Sequence, residues 1–196
     1  MAVKRAVVFP GIGYHSDKPL LYYAKKLAAQ AGYEITEVCY YDMPKKILGN
    51  ANRMRLAYET ALSQAEETLC GLDLASCEDV LFISKSIGTL IAAGYAKKHG
   101  INVKQLMYTP LLETFSFLKE GKNCIIFHGS DDPWADCDEV SQMCLMIECP
   151  SYLYEGGNHS IETGAALKDL KNLSEIMMLT AEFIRDAGVR LPEDHK

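Results

Sequence analysis

Apolar residues along this chain follow two rhythms. Short, dense runs rich in β-branched side chains alternate with longer stretches in which apolar positions recur every third or fourth residue. The first rhythm predicts strands buried on both faces, the second amphipathic helices. Strand-like runs cover Val3–Phe9, Glu34–Tyr40, the segment opening Val80-Leu81-Phe82-Ile83, Val103–Tyr108, Asn123–Phe127 and Ser151–Tyr154. Helical patterns cover Pro19–Gly32, Ala51–Leu69 (with Gly71 beyond its end), the stretch after Ser86 up to His99-Gly100, about Ala135–Met146 and about Thr163–Ala187. Asp17 is the expected cap of the first helix, with Pro19 in its first turn and Gly32 closing it. Asp42-Met43-Pro44 breaks the second strand. In the last helix Leu167, Leu170, Leu173, Ile176 and Met177 share a stripe that predicts a core-facing surface, and Met178 is expected in the core as well.

Strands alternating with helices predict an α/β protein, a three-layer α/β/α sandwich whose six-stranded, mostly parallel sheet is covered on both faces. With no internal repeat, low-complexity tract or composition break, residues 1–196 are expected to form a single domain. Pro110–Lys122 is the long connection without clear periodicity, and Pro192–Lys196 is expected to fray.

Composition narrows the function classes. A hydrophobic content of 48% with 23% charged residues suits a soluble globular protein, and a net charge of -6 leaves no basic stripe for nucleic acid. No apolar segment approaches the roughly 20 residues a membrane helix needs. The run ending at Phe9 is too short for a signal peptide, and the cysteine usage below points to a cytoplasmic protein. The seven cysteines are an odd number and form no CxxC, and Cys39 and Cys124 fall inside strand-like runs. Reduced, mostly buried thiols are expected rather than a disulfide framework or a metal site.

The candidate chemistry centres on Ser84-Lys85-Ser86-Ile87-Gly88. A strand that stops at small residues and resumes as a helix implies a turn so sharp that only small side chains fit beside it. Such a turn lifts Ser86 clear of the sheet edge. The N–H of Ile87 then lies at a helix N-terminus, where developing negative charge is favoured. In parallel sheets reactive groups gather at the carboxyl ends of the strands. Three further turns fall there: Pro10-Gly11-Ile12-Gly13, His128-Gly129-Ser130-Asp131-Asp132-Pro133 and Gly156-Gly157-Asn158-His159. A hydroxyl, a carboxylate and an imidazole are the three groups that serine nucleophilic catalysis requires.

On these motifs, from Val3 to the last helix, the chain resembles the α/β-hydrolases, in particular small, lidless serine hydrolases of the dienelactone-hydrolase and esterase type. The resemblance implies strand order 2-1-3-4-5-6, Ser86 as nucleophile, His159 as base, and Asp132 rather than Asp131 as acid, from the family's His-Gly-x-x-Asp pattern. It also implies an oxyanion hole built from the N–H of Ile87 and that of Ile12 or Gly13, a small-molecule acyl substrate, and no metal or organic cofactor. Ser84 departs from the family's usual glycine, the first two strands of larger members have no counterpart, and Pro110–Lys122 is too short for a substantial lid.

Other residues have plainer readings. Ser84 is expected to be a small turn residue. Lys85 is expected to be solvated or salt-bridged, with recognition of an acidic substrate group as the sharper alternative. Tyr14, His15 and Trp134 are candidates to line the pocket. Leu111, Leu112, Phe115 and Phe117 are expected to pack in the core, with a wall for an acyl chain as the alternative. If Asp131 and Asp132 both ionise, one should face water. Gly11-Ile12-Gly13 is not a dinucleotide fingerprint, because Ser16 stands at the third glycine position and the helix starts at a proline. Two other function classes stay open. One is a non-catalytic binding or interaction module on the same fold; the other is a flavodoxin-like nucleotide or phosphate binder using Gly11–Ser16. A homodimer is compatible with the sequence.

Overall fold

The computed structural model describes residues 3–118 and 123–185. Six strands, β1 (Lys4–Phe9), β2 (Tyr33–Glu37), β3 (Asp79–Lys85), β4 (Lys104–Tyr108), β5 (Cys124–Gly129) and β6 (Ser151–Tyr154), form one sheet. Every neighbouring pair is parallel, and the order is β2-β1-β3-β4-β5-β6, as the sequence led us to expect. Five helices, α1 (Pro19–Gln30), α2 (Ala51–Leu69), α3 (Ile87–His99), α4 (Cys137–Met146) and α5 (Ala166–Arg185), cover its two faces. Short 3-10 turns lie at Leu74–Ser76 and Leu112–Phe117.

The sheet is buried on both sides. Ala6, Val8, Leu81, Ile83, Leu106 and Tyr108 point into one core with α1 and α5, while Val7, Phe9, Val80 and Phe82 point into another with α2 and α3. A third cluster joins Met107, Phe115, Cys124 and Ile126 to α4. Leu111 and Phe115 belong to these cores, and Leu112 packs against one, so the connection after β4 is packing. Lys119–Lys122 lie outside the described residues, as do Pro192–Lys196 and the expected end of the last helix at Ala187.

Several local expectations need correction. β2 stops at Glu37 rather than Tyr40, which leaves Cys39 exposed and outside any strand. Lys18, not Asp17, holds the N-cap position of α1; Asp17 instead pairs with Lys25 at 3.2 Å. α4 begins two residues later than expected because Asp136 caps it, accepting from the N–H groups of Asp138 and Glu139. α5 begins at Ala166, and its buried face is Ile176, Thr180, Phe183 and Ile184. Leu167 and Leu170 are 84% and 62% exposed, since the first two turns of α5 have no core cluster to pack into; Met178, 59% exposed, lies on the side of the helix opposite Ile176, Thr180 and Phe183. The thiols are not mostly buried: Cys39 and Cys70 are exposed, Cys77 and Cys137 are half-buried, and Cys144 is buried. Cys124 and Cys149 are joined as a disulfide. The register that sets Ile126 beside Ser151 also brings these two residues level, 5.9 Å apart at Cα. Among the described residues no helix is long and apolar enough to cross a membrane.

One close approach sets the height of α3 over the sheet. A Cβ added at Gly88 would lie 2.1 Å from the carbonyl oxygen of Phe9 and 2.5 Å from that of Pro10, so the first turn of α3 rests on the β1 backbone. Gly88→Ala should therefore lower stability by about 1–3 kcal/mol or more, because backbone must move to admit the methyl group. Chemical denaturation of the two proteins checks this, and an unchanged midpoint would contradict the packing.

Candidate active site

The site is assembled at the carboxyl ends of β1, β3, β5 and β6. Ser86 follows β3 directly, with φ 57° and ψ -129°, a region that side chains bearing a Cβ rarely occupy. Three contacts impose it. The Ser86 N–H donates to the Tyr108 carbonyl, the Ser86 carbonyl accepts from both the N–H and hydroxyl of Thr89, and α3 is pinned at Gly88. Gly11 closes the other side, since a Cβ there would lie 3.2 Å from that of Ser86. Ser84 is not in the turn itself. It is a buried residue of β3 whose hydroxyl donates to the Leu106 carbonyl.

His159 hangs on the loop after β6. Gly157 packs on Gly129 so closely that a Cβ on Gly129 would lie 2.2 Å from the Gly157 oxygen. The Gly157 carbonyl accepts from the Asp131 N–H, and the Thr109 hydroxyl donates to the His159 carbonyl. The Asn158 side chain accepts from the N–H groups of Ser160 and Glu162, which folds the loop back on itself. Asp132 is buried, whereas Asp131 is exposed and accepts from the Ser130 hydroxyl, so one of the adjacent pair does face water.

These loops bring the three polar groups into line. His159 Nδ1 lies 2.8 and 2.9 Å from the two Asp132 oxygens, and His159 Nε2 lies 2.7 Å from Ser86 Oγ. An ionised carboxylate only accepts, so Nδ1 carries the proton. In the neutral ring Nε2 is then a lone pair that accepts from the Ser86 hydroxyl. Asp132 also accepts the Trp134 N–H at 2.9 Å. Burial opposes its charge, but the hydrogen bond and charge of His159 outweigh that, and the carboxyl is held below its ordinary range. His159 is lowered: burial is the main cause, and Lys85 and His128 add to it against the opposing hydrogen bond to Asp132.

A cavity of about 210 Å³ opens over Ser86. Of the residues expected from the sequence, Ser86, His159, Ile12, Gly13, Ile87, Tyr14 and Trp134 line it, with Asp132 behind His159. The Trp134 ring stacks on His159 at 5.4 Å between centroids. His15 is exposed and does not line the cavity. Ile47 and Met54 do, and sequence reasoning missed them. They come from the loop before α2 and from α2 itself, and neither carries a local mark separating it from ordinary packing. Reciprocal hydrogen bonds between Gly11 and Tyr14 close the first loop, leaving the N–H groups of Ile12 and Gly13 outside that pairing. Two larger depressions, of about 330 and 870 Å³, share Gly100–Val103 at the other end of the sheet and contain none of these groups.

Lys85 corrects a further expectation. It is neither solvated nor salt-bridged. It is fully buried, its ammonium has no hydrogen-bond partner, and it is among the residues that line the cavity over Ser86.

No protein-family model matches the sequence, and neither does any curated protein. Solved structures do match in three dimensions. A serine hydrolase without a lid from Xanthomonas campestris covers 98% of this chain and 85% of its own, with TM-score 0.65 at 10% identity. The chain has the α/β-hydrolase fold. An alpha-beta serine hydrolase homologue from Coxiella burnetii covers 93% of this chain and 85% of its own, with TM-score 0.58 at 14% identity. Est1E from Butyrivibrio proteoclasticus, solved with ferulic acid bound, covers 92% and 90%, with TM-score 0.62 at 13% identity. In this α/β-hydrolase-fold protein Ser86 holds the strained turn between β3 and α3.

The strain at Ser86 is measurable without any substrate. Ser86→Gly should be more stable than Ser86→Ala by about 1–3 kcal/mol, because only glycine adopts this backbone without penalty. Equal denaturation midpoints for the two variants would mean the turn is relaxed.

Proposed function

We propose that this protein is a serine hydrolase that cleaves a small ester, thioester or related acyl substrate through an acyl-enzyme. The observation that carries the reading is the unbroken chain from Ser86 Oγ through His159 to Asp132 at the floor of an apolar cavity. Likeness of fold to serine hydrolases supports it.

Each residue has a role in this reading. Ser86 Oγ attacks the carbonyl carbon of the substrate as its proton passes to His159 Nε2. The imidazolium so formed keeps its Nδ1 proton on Asp132, whose buried charge stabilises it. The tetrahedral oxyanion is held by the N–H of Ile87 and by that of Ile12 or Gly13. Collapse expels the alcohol or thiol, which takes the proton from His159. Water then repeats the sequence in reverse, its proton going to His159, and frees the acid and Ser86. Ile12, Ile47, Met54, Ile87 and Trp134 form an apolar wall, and the cavity volume favours small groups.

The test is steady-state hydrolysis of chromogenic and thioester substrates of short to medium acyl length. Ser86→Ala and His159→Ala should each lose activity by about 10³-fold or more, and Asp132→Asn by about 10⁴-fold, because the wrong His159 tautomer then faces Ser86. A folded native protein that turns over none of these substrates, or a Ser86→Ala variant that turns them over as fast, would contradict the reading. The pH dependence has a definite sign. His159 must be neutral to accept the proton, and its pKa is lowered. So kcat/KM should rise with pH to a plateau, with a midpoint under the ordinary histidine value of 6.5. A midpoint above that value would contradict the assignment of the base.

A further inference from the structure

The residue before the nucleophile is a lysine on the core face of β3, the face that Leu81 and Ile83 also use. Its side chain is fully buried, and its Nζ makes no hydrogen bond. It sits 5.1 Å from the centroid of the Tyr14 ring, which receives a second cation, Lys18, at the same distance. The mechanism above makes no use of it. A buried ammonium without a partner is costly, and a core position that needed only bulk would be filled more cheaply by methionine or leucine.

The electrostatic surroundings suggest what it does. Among the described residues Asp132 is the one buried carboxylate. Three basic groups lie around that buried charge. His159 Nδ1 is 2.8 Å from Asp132 Oδ2, and His128 Nδ1 is 3.7 Å from the same oxygen. Lys85 lines the same cavity as Ser86 and His159, so its ammonium is drawn to the charge of Asp132 and in turn repels protons from both imidazoles. His128 donates its Nε2 proton to the Ala135 carbonyl, which can only accept, so its neutral ring turns a lone pair toward Asp132. The remaining charged or titratable neighbours are Asp136, the cap of α4, which acts on His128; Lys18 and Tyr14, at and before the start of α1; and Glu162, in the loop after His159, which acts on Tyr14. One carboxylate cannot stabilise several buried cations at once.

We propose that Lys85 is a positioning residue for the base: its buried ammonium competes with His159 for the charge of Asp132 and so keeps the imidazole in the neutral form. Burial lowers Lys85 to about 7, opposed by Asp132 and reinforced by Lys18. Its charge therefore grows in as pH falls through neutrality, over the range in which His159 would otherwise begin to protonate. The two groups titrate as a coupled pair. The base stays available at lower pH than an isolated Asp–His pair would allow.

This inference rests on His159 being the base, but its test needs no turnover. The His159 Cε1–H resonance, assigned through its loss in His159→Gln, is titrated by NMR in the native protein and in Lys85→Met. Removing the ammonium should raise the His159 midpoint by about half a unit to one unit. A lysine that merely fills space would lower the melting temperature and leave the midpoint in place, and an unchanged or lower midpoint in folded Lys85→Met overturns the proposal. Should that variant not fold, the native protein alone decides. With ¹³Cε-labelled lysine, one resonance should titrate near 7 while the His159 signal responds over the same range. If the shifted lysine resonance titrates with no accompanying response of the His159 signal, the proposal fails. Hydrolysis absent in the native protein, with the His159 midpoint still raised in Lys85→Met, would retire the catalytic reading and leave the coupling of Lys85 to His159 standing.

Discussion

Everything at the site depends on one backbone turn that serine would not adopt alone. Ser86 sits at positive φ because the chain leaves β3 and must enter α3 within a single residue. That abruptness is possible only because Gly88 lets the helix rest on the carbonyl groups of Phe9 and Pro10, and because Gly11 leaves room beside the Ser86 Cβ. The conformational penalty at one residue, about 1–3 kcal/mol, is carried by the packing of α3, whose first ten residues are all buried. The result is a hydroxyl raised above the sheet edge beside the free N–H of a helix start. β1, β3 and α3 are thus one rigid unit, and the first loop, closed by Gly11 and Tyr14, is built against it.

The other half of the site is electrostatic. Asp132 is withdrawn from water and compensated by the Trp134 N–H and by His159, so its charge acts at close range and fixes the imidazole tautomer. Burial alone would raise Asp132, and the hydrogen bond from His159 reverses the sign. The same low-dielectric setting makes neighbouring cations consequential, so a lysine buried beside the nucleophile acts on the site through its charge as well as its bulk. Trp134 links the two halves. Its backbone orients the carboxylate, and its ring lies over the imidazole and forms part of the cavity wall.

Much of the fold was legible because each strand is a dense apolar run cut off by small or turn-forming residues, and because parallel strands hide both faces. The positions of Ser86, Asp132 and His159 at strand ends were legible for the same reason. What escaped was information that lives in register or in phase. Cys124 and Cys149 are adjacent only once β5 and β6 are aligned, and their spacing in the chain does not show it. Leu167 and Leu170 follow the helical period, yet the start of α5 lies beyond the core that would bury them. Ile47 and Met54 reach the cavity from an element remote in sequence. Lys85 is the instructive case. The period of two along β3 places it on the same inward face as Leu81 and Ile83, and that pattern, weighed above residue type, points to burial.

Activation of Ser86 by His159 is read most directly by intact-mass analysis after exposure to a fluorophosphonate probe. The native protein should gain one probe adduct per chain, mapped to the peptide containing Ser86. The Ser86→Ala and His159→Ala variants should gain none on the same timescale. A folded native protein that stays unlabelled, or labelling that survives Ser86→Ala, would contradict that activation.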